Sequence, residues 1–288
     1  MATLKQIRQR IKTAKNIQQI TKAMKLVAAA RLKKATDRVL ESRPYADKLK
    51  EFMGSLSQAG ELPVHPLMEK RETINKAILV VVTSERGLAG GYNTSIIRKA
   101  ADFIKAAGFE VELVTIGKKG HQFFSKRGYK IIHSITMPSA GASLENAIEA
   151  TRVTRQAFES GEADAIFVCY SKFYSAIRQI PQLVQLLPIE APVKDDADGM
   201  VPAEVSFEPN AEAVLNALLP RYFQTLVWQS LLEGTASEFG ARMTAMTSAT
   251  DNAGKMIQSL TLKANRERQA GITTQILEVV GGAEALKG

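Results

Sequence analysis

From Leu232 to Ala264 the chain repeats at alternating steps of four and three: Leu232, Ala236, Phe239, Met243, Met246, Thr250, Ala253, Ile257, Leu260 and Ala264. Nine of these ten residues are apolar. A free helix winds at roughly 3.6 residues per turn and drifts away from a 3.5 repeat, so so long a seam marks a helix coiled around a partner. Pro220 fits the first turn of this helix, where a missing N–H costs nothing. From there to Leu286 the helix would run about 100 Å at 1.5 Å per residue.

The first 58 residues lack glycine until Gly54 and carry a less regular version of the same pattern. Leu4, Ile7, Ile11 and Ala14 make one seam, and Ile17, Ile20, Met24 and Val27 continue it after a slip of three residues. Ala28, Leu32, Ala35, Val39, Ser42, Ala46, Leu49, Met53 and Leu56 then alternate four and three. Phase slips of this kind change the supercoil locally. Pro44 is expected to kink the helix one turn earlier, near Leu40. A helix ending near Leu56 would reach about 85 Å. Seams at the two ends of one chain, with a domain too small to cover both, predict an antiparallel helix pair.

Between them lies an α/β pattern. Lys76 to Thr83 (KAILVVVT) reads as a buried strand, Thr94 to Ala107 as a helix, and Glu110 to Ile116 as an alternating strand. Gly120 to Arg127 reads as a short helix, Tyr129 to Ile135 as a strand, Ser143 to Ser160 as a helix and Asp164 to Ser171 as a strand. The alternation predicts a mainly parallel sheet with helices against it. Ile177 to Glu190 is assigned to the sheet edge, where Pro181 and Pro188 are tolerated. Ala191 to Pro202 reads as a polar loop. The expected division is 1–58, a coiled-coil helix; 74–207, an α/β domain; and 208–288, a second coiled-coil helix.

The net charge of +9 is unevenly placed. Residues 1–50 hold 14 Lys and Arg against 3 Asp and Glu, while the remainder holds 24 against 26. Such a basic arm suits nucleic acid, an anionic membrane or an acidic protein surface. It carries no zinc, homeodomain or basic-zipper pattern, and no aromatic residue precedes Tyr45 on its apolar face. The apolar run Ala77 to Val82 falls far short of the ~20 residues of a membrane span. The single cysteine, Cys169, excludes an internal disulfide and reads as a buried apolar residue.

The loop Ser84 to Asn93 (SERGLAGGYN) follows a strand and opens a helix, where phosphate-binding loops lie. Yet Gly87, Gly90 and Gly91 do not have GxGxxG spacing, and no GxxxxGK[ST] occurs. A tight turn that needs glycine dihedrals is the competing reading. Glu85 and Arg86 either bind a ligand or belong to a solvated turn. His65, His121 and His133 are scattered without metal-ligand spacing. No catalytic residue, cofactor or metal is assigned.

Ile7 to Ala35 (IRQRIKTAKNIQQITKAMKLVAAARLKKA), the SERGLAGGYN loop, Ala241 to Ala253 (ARMTAMTSATDNA) and Ile272 to Leu286 (ITTQILEVVGGAEAL) together closely resemble the gamma subunit of the bacterial-type ATP synthase. The resemblance runs the length of the chain in the same order. It implies an antiparallel coiled coil inside a hexamer of alpha and beta subunits. It also implies a Rossmann-like foot domain that binds no nucleotide and meets epsilon and the c-subunit ring. The implied function is a non-catalytic central-stalk rotor subunit, transmitting torque from the ring to the catalytic sites. Nucleic acid is not an implied partner, and membrane association would come only through the complex, at the cytoplasmic face of a bacterial membrane.

The resemblance assigns roles by motif. Lys22, Met24 and Lys25, with Arg31, Lys33 and Lys34, would face the acidic lever of beta. Arg268 and Gln269 would meet a beta loop higher on the shaft. Arg242 belongs to a coupling stretch, and Leu277, Val279 and Val280 to an apolar bearing at the tip. Phe207 and Glu208 would meet the c ring. Ala89 and Gln275 stand where the family commonly has cysteine and glutamate. The absence of a transit segment before Met1 favours a bacterial origin.

Overall fold

The structure, a computed structural model, describes residues 3–58, 65–190 and 210–285. Its elements are α1 (Leu4–Gln58), a turn of 3-10 helix (Pro66–Met68), β1 (Lys76–Val82), α2 (Tyr92–Ala106), β2 (Glu110–Ile116), α3 (Lys118–Ser125), β3 (Ile131–Ile135), α4 (Leu144–Glu159), β4 (Ala165–Ser175), β5 (Arg178–Leu187) and α5 (Ala211–Ala285). The chain divides into two compact units, Met1–Val27 with Met243–Gly288, and Ala28–Arg242. The division cuts both long helices.

In the larger unit the sheet order is β3-β2-β1-β4-β5, with the first four strands parallel and β5 antiparallel on the edge. Both faces of β1 are covered, which is why its sequence is continuously apolar rather than alternating. Ile78, Val80 and Val82 share one core with α4 (Ala147, Phe158), α5 (Leu219, Phe223, Leu231) and Met53 of α1. Leu79 and Val81 share the other with Ile96 and Ala100 of α2, Phe124 of α3 and Cys169 of β4. The expected mainly parallel α/β region and the edge assignment of the last strand hold, with Pro181 inside β5.

Two long helices in contact, α1 and α5, complete the architecture. Within the larger unit Ser42 Oγ lies 3.1 Å from Gln229 Oε1, and Ala35 and Val39 pack with Leu232, Ala236 and Phe239. Within the smaller unit the hydroxyls of Thr21 and Thr250 are 2.9 Å apart, and Gln18 approaches Gly254. In both, rising numbers on α1 meet falling numbers on α5, so the pairing is antiparallel.

Two details differ from the expected pattern. The seam of α1 does not slip. Buried or half-buried residues fall at Leu4, Ile7, Ile11, Ala14, Gln18, Thr21, Lys25, Ala28, Leu32, Ala35, Val39, Ser42, Ala46, Leu49 and Met53, an unbroken alternation of three and four. Ile17, Ile20, Met24 and Val27 are instead exposed, by 48%, 56%, 39% and 52%. Small and polar residues carry the seam where the helices pass closely, and the lysine stem of Lys25 supplies its methylenes. Second, α5 begins at Ala211, so Pro220 lies inside it rather than in its first turn. The signal was Asn210, whose Oδ1 accepts the Ala213 N–H at 2.8 Å as an N-cap. Pro220 leaves the Asn216 carbonyl without its helical donor, and Asn216 is exposed, where water can serve. Pro44 lies inside α1, and the carbonyl it deprives of a donor belongs to Leu40, where the kink is expected and which is 52% exposed.

Candidate functional site

A doubly wound sheet places its natural ligand crevice outside the carboxyl ends of the strands, where the strand order reverses. Here that point lies between β1 and β4, and helix α5 fills it. The Tyr92 hydroxyl donates to the Gly234 carbonyl at 2.9 Å, and a Cβ on Gly234 would stand 3.1 Å from Val82. Ser237 Oγ donates to the Ser171 carbonyl of β4 at 2.8 Å, and Thr235 Oγ1 accepts the Ala142 N–H at 3.1 Å. Gly141, at φ +106°, has room only for hydrogen there, since a Cβ would fall 2.3 Å from Thr235 Cγ2.

The glycine loop is built for this closure. Its fold is set internally: Asn93 Oδ1 accepts from the Ser84 N–H at 3.0 Å, and Ser84 Oγ donates to the Arg86 carbonyl at 2.6 Å. Leu88 and Gly90 take positive φ values of 65° and 56°. A phosphate cradle turns N–H groups toward its ligand. This loop presents the carbonyls of Arg86 and Gly87 to the Arg242 guanidinium, each at 3.3 Å. The tight-turn reading therefore describes it. Glu85 is not a solvated turn residue: its carboxylate accepts the Met137 N–H at 2.7 Å.

Arg242 holds the joint from the α5 side. It also donates to Glu238 at 2.6 Å, a buried carboxylate one turn back. Burial raises the Glu238 carboxyl above the ordinary range, and Arg242 opposes that rise. Arg31 is likewise committed, donating to the Ser139 carbonyl at 2.5 Å and lying 5.8 Å from the Phe239 ring centroid. Lys33 and Lys34 are exposed.

The remaining assigned positions lie on open helix surface. In the smaller unit Lys22 and Met24 are exposed, while Lys25 sits half-buried on the seam. Arg268 and Gln269 are exposed, and Leu277, Val279 and Val280 are 66%, 72% and 58% exposed. Phe207 and Glu208 lie outside the described residues. The pattern reading missed the most informative feature here, because it spent Ile17, Ile20, Met24 and Val27 on the helix pair. They form a second stripe at steps of three, four and three that stays 39% to 56% exposed.

Among the described residues no group of His, Cys, Asp and Glu could hold a metal ion, and no helix is long and apolar enough to cross a membrane. Cys169 is fully buried, and burial pushes its thiol up to about 12, far from a reactive thiolate.

A family model described as ATP synthase matches residues 3–286. The ATP synthase gamma chain of Brevibacillus brevis is 44% identical over 285 residues, covering 98% of both chains. That of an Anaeromyxobacter species is 46% identical over 293 residues, covering both chains completely. Among solved structures, a chain of the central stalk and c ring of the Tetrahymena thermophila mitochondrial ATP synthase is similar with a TM-score of 0.60 and 25% identity, over 80% of this chain and 99% of that one. A chain of the Euglena gracilis mitochondrial ATP synthase shares the fold with a TM-score of 0.71 at 16% identity, over 98% of this chain and 94% of that one.

Proposed function

The chain belongs to the ATP synthase gamma family, and from that premise we propose that its uncovered apolar stripes are bearing surfaces running against the surrounding subunits. It is the central-stalk rotor subunit, a non-catalytic part of an ATP synthase that contains F1 and a c ring. The sealed crevice at the sheet's switch point accords with a scaffold that does no chemistry of its own.

In this reading alpha and beta subunits surround the helix pair, and torque from the c ring reaches their catalytic sites through it. The observation that carries the proposal is the second seam on α1. Ile17, Ile20, Met24 and Val27 line one face of a helix whose other face is already paired. A soluble helix keeps such a stripe only where another surface slides over or seats on it. Lys22, Met24, Lys25, Arg31 and Lys33 then meet an acidic lever of beta, with the charges steering and the stripe supplying contact. Arg268 and Gln269 meet a beta loop, Leu277, Val279 and Val280 turn in an apolar bearing, and Arg242 couples the stretch below to the foot. Epsilon and the c ring bind the foot, the ring at Phe207 and Glu208. Attachment to the membrane is through these partners.

The inert Cys169 makes a clean test available. With Met24→Cys as the sole accessible thiol, a short bifunctional reagent applied to the assembled complex should join this chain to beta and stop turnover. Reductive cleavage of the link should restore turnover. Linking only to other subunits, or linking without loss of turnover, would refute the placement. Purified alone, the chain should hydrolyse no ATP, and it should restore coupled synthesis to a complex lacking it.

A further inference from the structure

We propose that a cleft beside the joint binds a phosphate-type dianion. The cleft encloses about 370 Å³. Its charged lining comes from separate pieces of chain: Arg31 on α1, Glu85 and Arg86 on the glycine loop, Lys118 at the start of α3, and Glu238 and Arg242 on α5. Four cations face two carboxylates, an excess of two positive charges.

The carboxylates are already engaged. Glu85 accepts the Met137 N–H at 2.7 Å, and Glu238 accepts from Arg242 at 2.6 Å. The cations are not saturated. Each guanidinium offers five N–H donors in a fixed fork. Among the described residues Arg31 has one acceptor, the Ser139 carbonyl, and Arg242 has three, Glu238 and the carbonyls of Arg86 and Gly87. The side chains of Arg86 and Lys118 are exposed and have no polar partner among the described residues.

The chemistry of the surplus donors selects the ligand class. A single carboxylate would leave one positive charge and most of the forks unused. A phosphate dianion balances the charge excess and offers oxygens to several donors at once. The cleft is open on one side, so the phosphate is either free inorganic phosphate or a terminal group of a nucleotide held by its phosphates alone. An anion there would tie α1, the glycine loop, α3 and α5 together, and so stiffen the larger unit around Arg242.

The test uses the full chain at low ionic strength with labelled inorganic phosphate in equilibrium dialysis. A parallel series measures thermal unfolding in phosphate, in ATP without metal, and in chloride at matched ionic strength. We expect saturable uptake at one site per chain. We also expect a phosphate-dependent rise in Tm of several degrees at about a hundredfold excess over Kd. The double variant Arg86→Ala with Lys118→Ala should bind about tenfold more weakly, yet unfold at the wild-type temperature without phosphate. Tighter binding of phosphate than of ATP identifies the free ion, and the reverse identifies a nucleotide. Absence of saturable uptake would overturn the proposal. So would equal uptake by the double variant, or a chloride series that reproduces the shift.

Discussion

Two stretches of α5 invert the usual relation between polarity and burial. From Leu231 to Gly240 every residue is buried, although the stretch includes Glu233, Thr235, Ser237 and Glu238. From Arg268 to Ala283 every residue is exposed, although the stretch includes Ile272, Ile276, Leu277, Val279 and Val280. The first stretch is polar where it crosses strand ends and loops, because backbone carbonyls and N–H groups there need partners. The second is rich in apolar residues that nothing among the described residues covers. Burial of the first is intramolecular; the second stays exposed, and the proposed bearing would be what covers it.

Matched leucines separate the two most sharply. Leu231 is fully buried in the core shared with the sheet, so Leu231→Ala should cost about 3 kcal/mol in urea unfolding. Leu277→Ala, at 66% exposure, should change the stability of the purified chain by less than about 0.5 kcal/mol while lowering coupled ATP synthesis by the complex. A large loss of stability in the purified chain from Leu277→Ala would break the comparison.

Arg242→Ala probes the polar stretch itself. It strips Glu238 of its ion pair and two loop carbonyls of their donor, at a cost of about 2 kcal/mol read from the same unfolding curve. Two glycines then sharpen the contrast between crowded and open backbone. Gly141→Ala combines a positive φ with a Cβ 2.3 Å from Thr235, and should lose about 2 kcal/mol. Gly271→Ala has nothing within 4 Å of its new methyl and should gain up to about 1 kcal/mol in thermal unfolding. If both substitutions behaved alike, the difference in packing would be fictitious.

How legible these features are in the residues follows from which partner sets each pattern. The strands were readable because KAILVVV and EVELVTI register their own burial, and the seam of α5 because bulky residues mark it. The seam of α1 is hidden at Gln18, Thr21 and Lys25, since its frame is fixed by the neighbouring helix and not by apolarity. Ile17, Ile20, Met24 and Val27 have the spacing of a core stripe, and spacing alone does not tell an exposed apolar stripe from a buried one. The joint left only faint traces. Gly117 and Gly120 crowd Thr83, where a Cβ on Gly117 would stand 2.1 Å from the Thr83 carbonyl oxygen, but glycine alone does not say what approaches it. The role of Arg242 as fastener leaves no trace in the residues, since the two loop acceptors are backbone carbonyls 155 and 156 positions away.

Glu233 offers a small expected gain and the most specific signature, a dependence on pH. It lies in the buried polar stretch, yet its Oε2 has no hydrogen-bond partner among the described residues. Burial raises its carboxyl above the ordinary value of 4.5, against the opposing pull of Lys172 and Arg43 and of hydrogen bonds from Gln229 and the Phe173 backbone. A raised folded value means that the native state holds the proton longer than the unfolded chain does. Stability is then fullest below 4.5 and declines as pH climbs from there to the raised folded value. Glu233→Gln keeps the shape and removes the ionisation. It should match the parent at acidic pH and exceed it by about 1 kcal/mol at neutral pH, the gap opening across that window. A gap independent of pH would assign the gain to packing. A loss at neutral pH would mean that Lys172 and Arg43 already satisfy the charge, and that the polar stretch of α5 is better solvated than its burial implies.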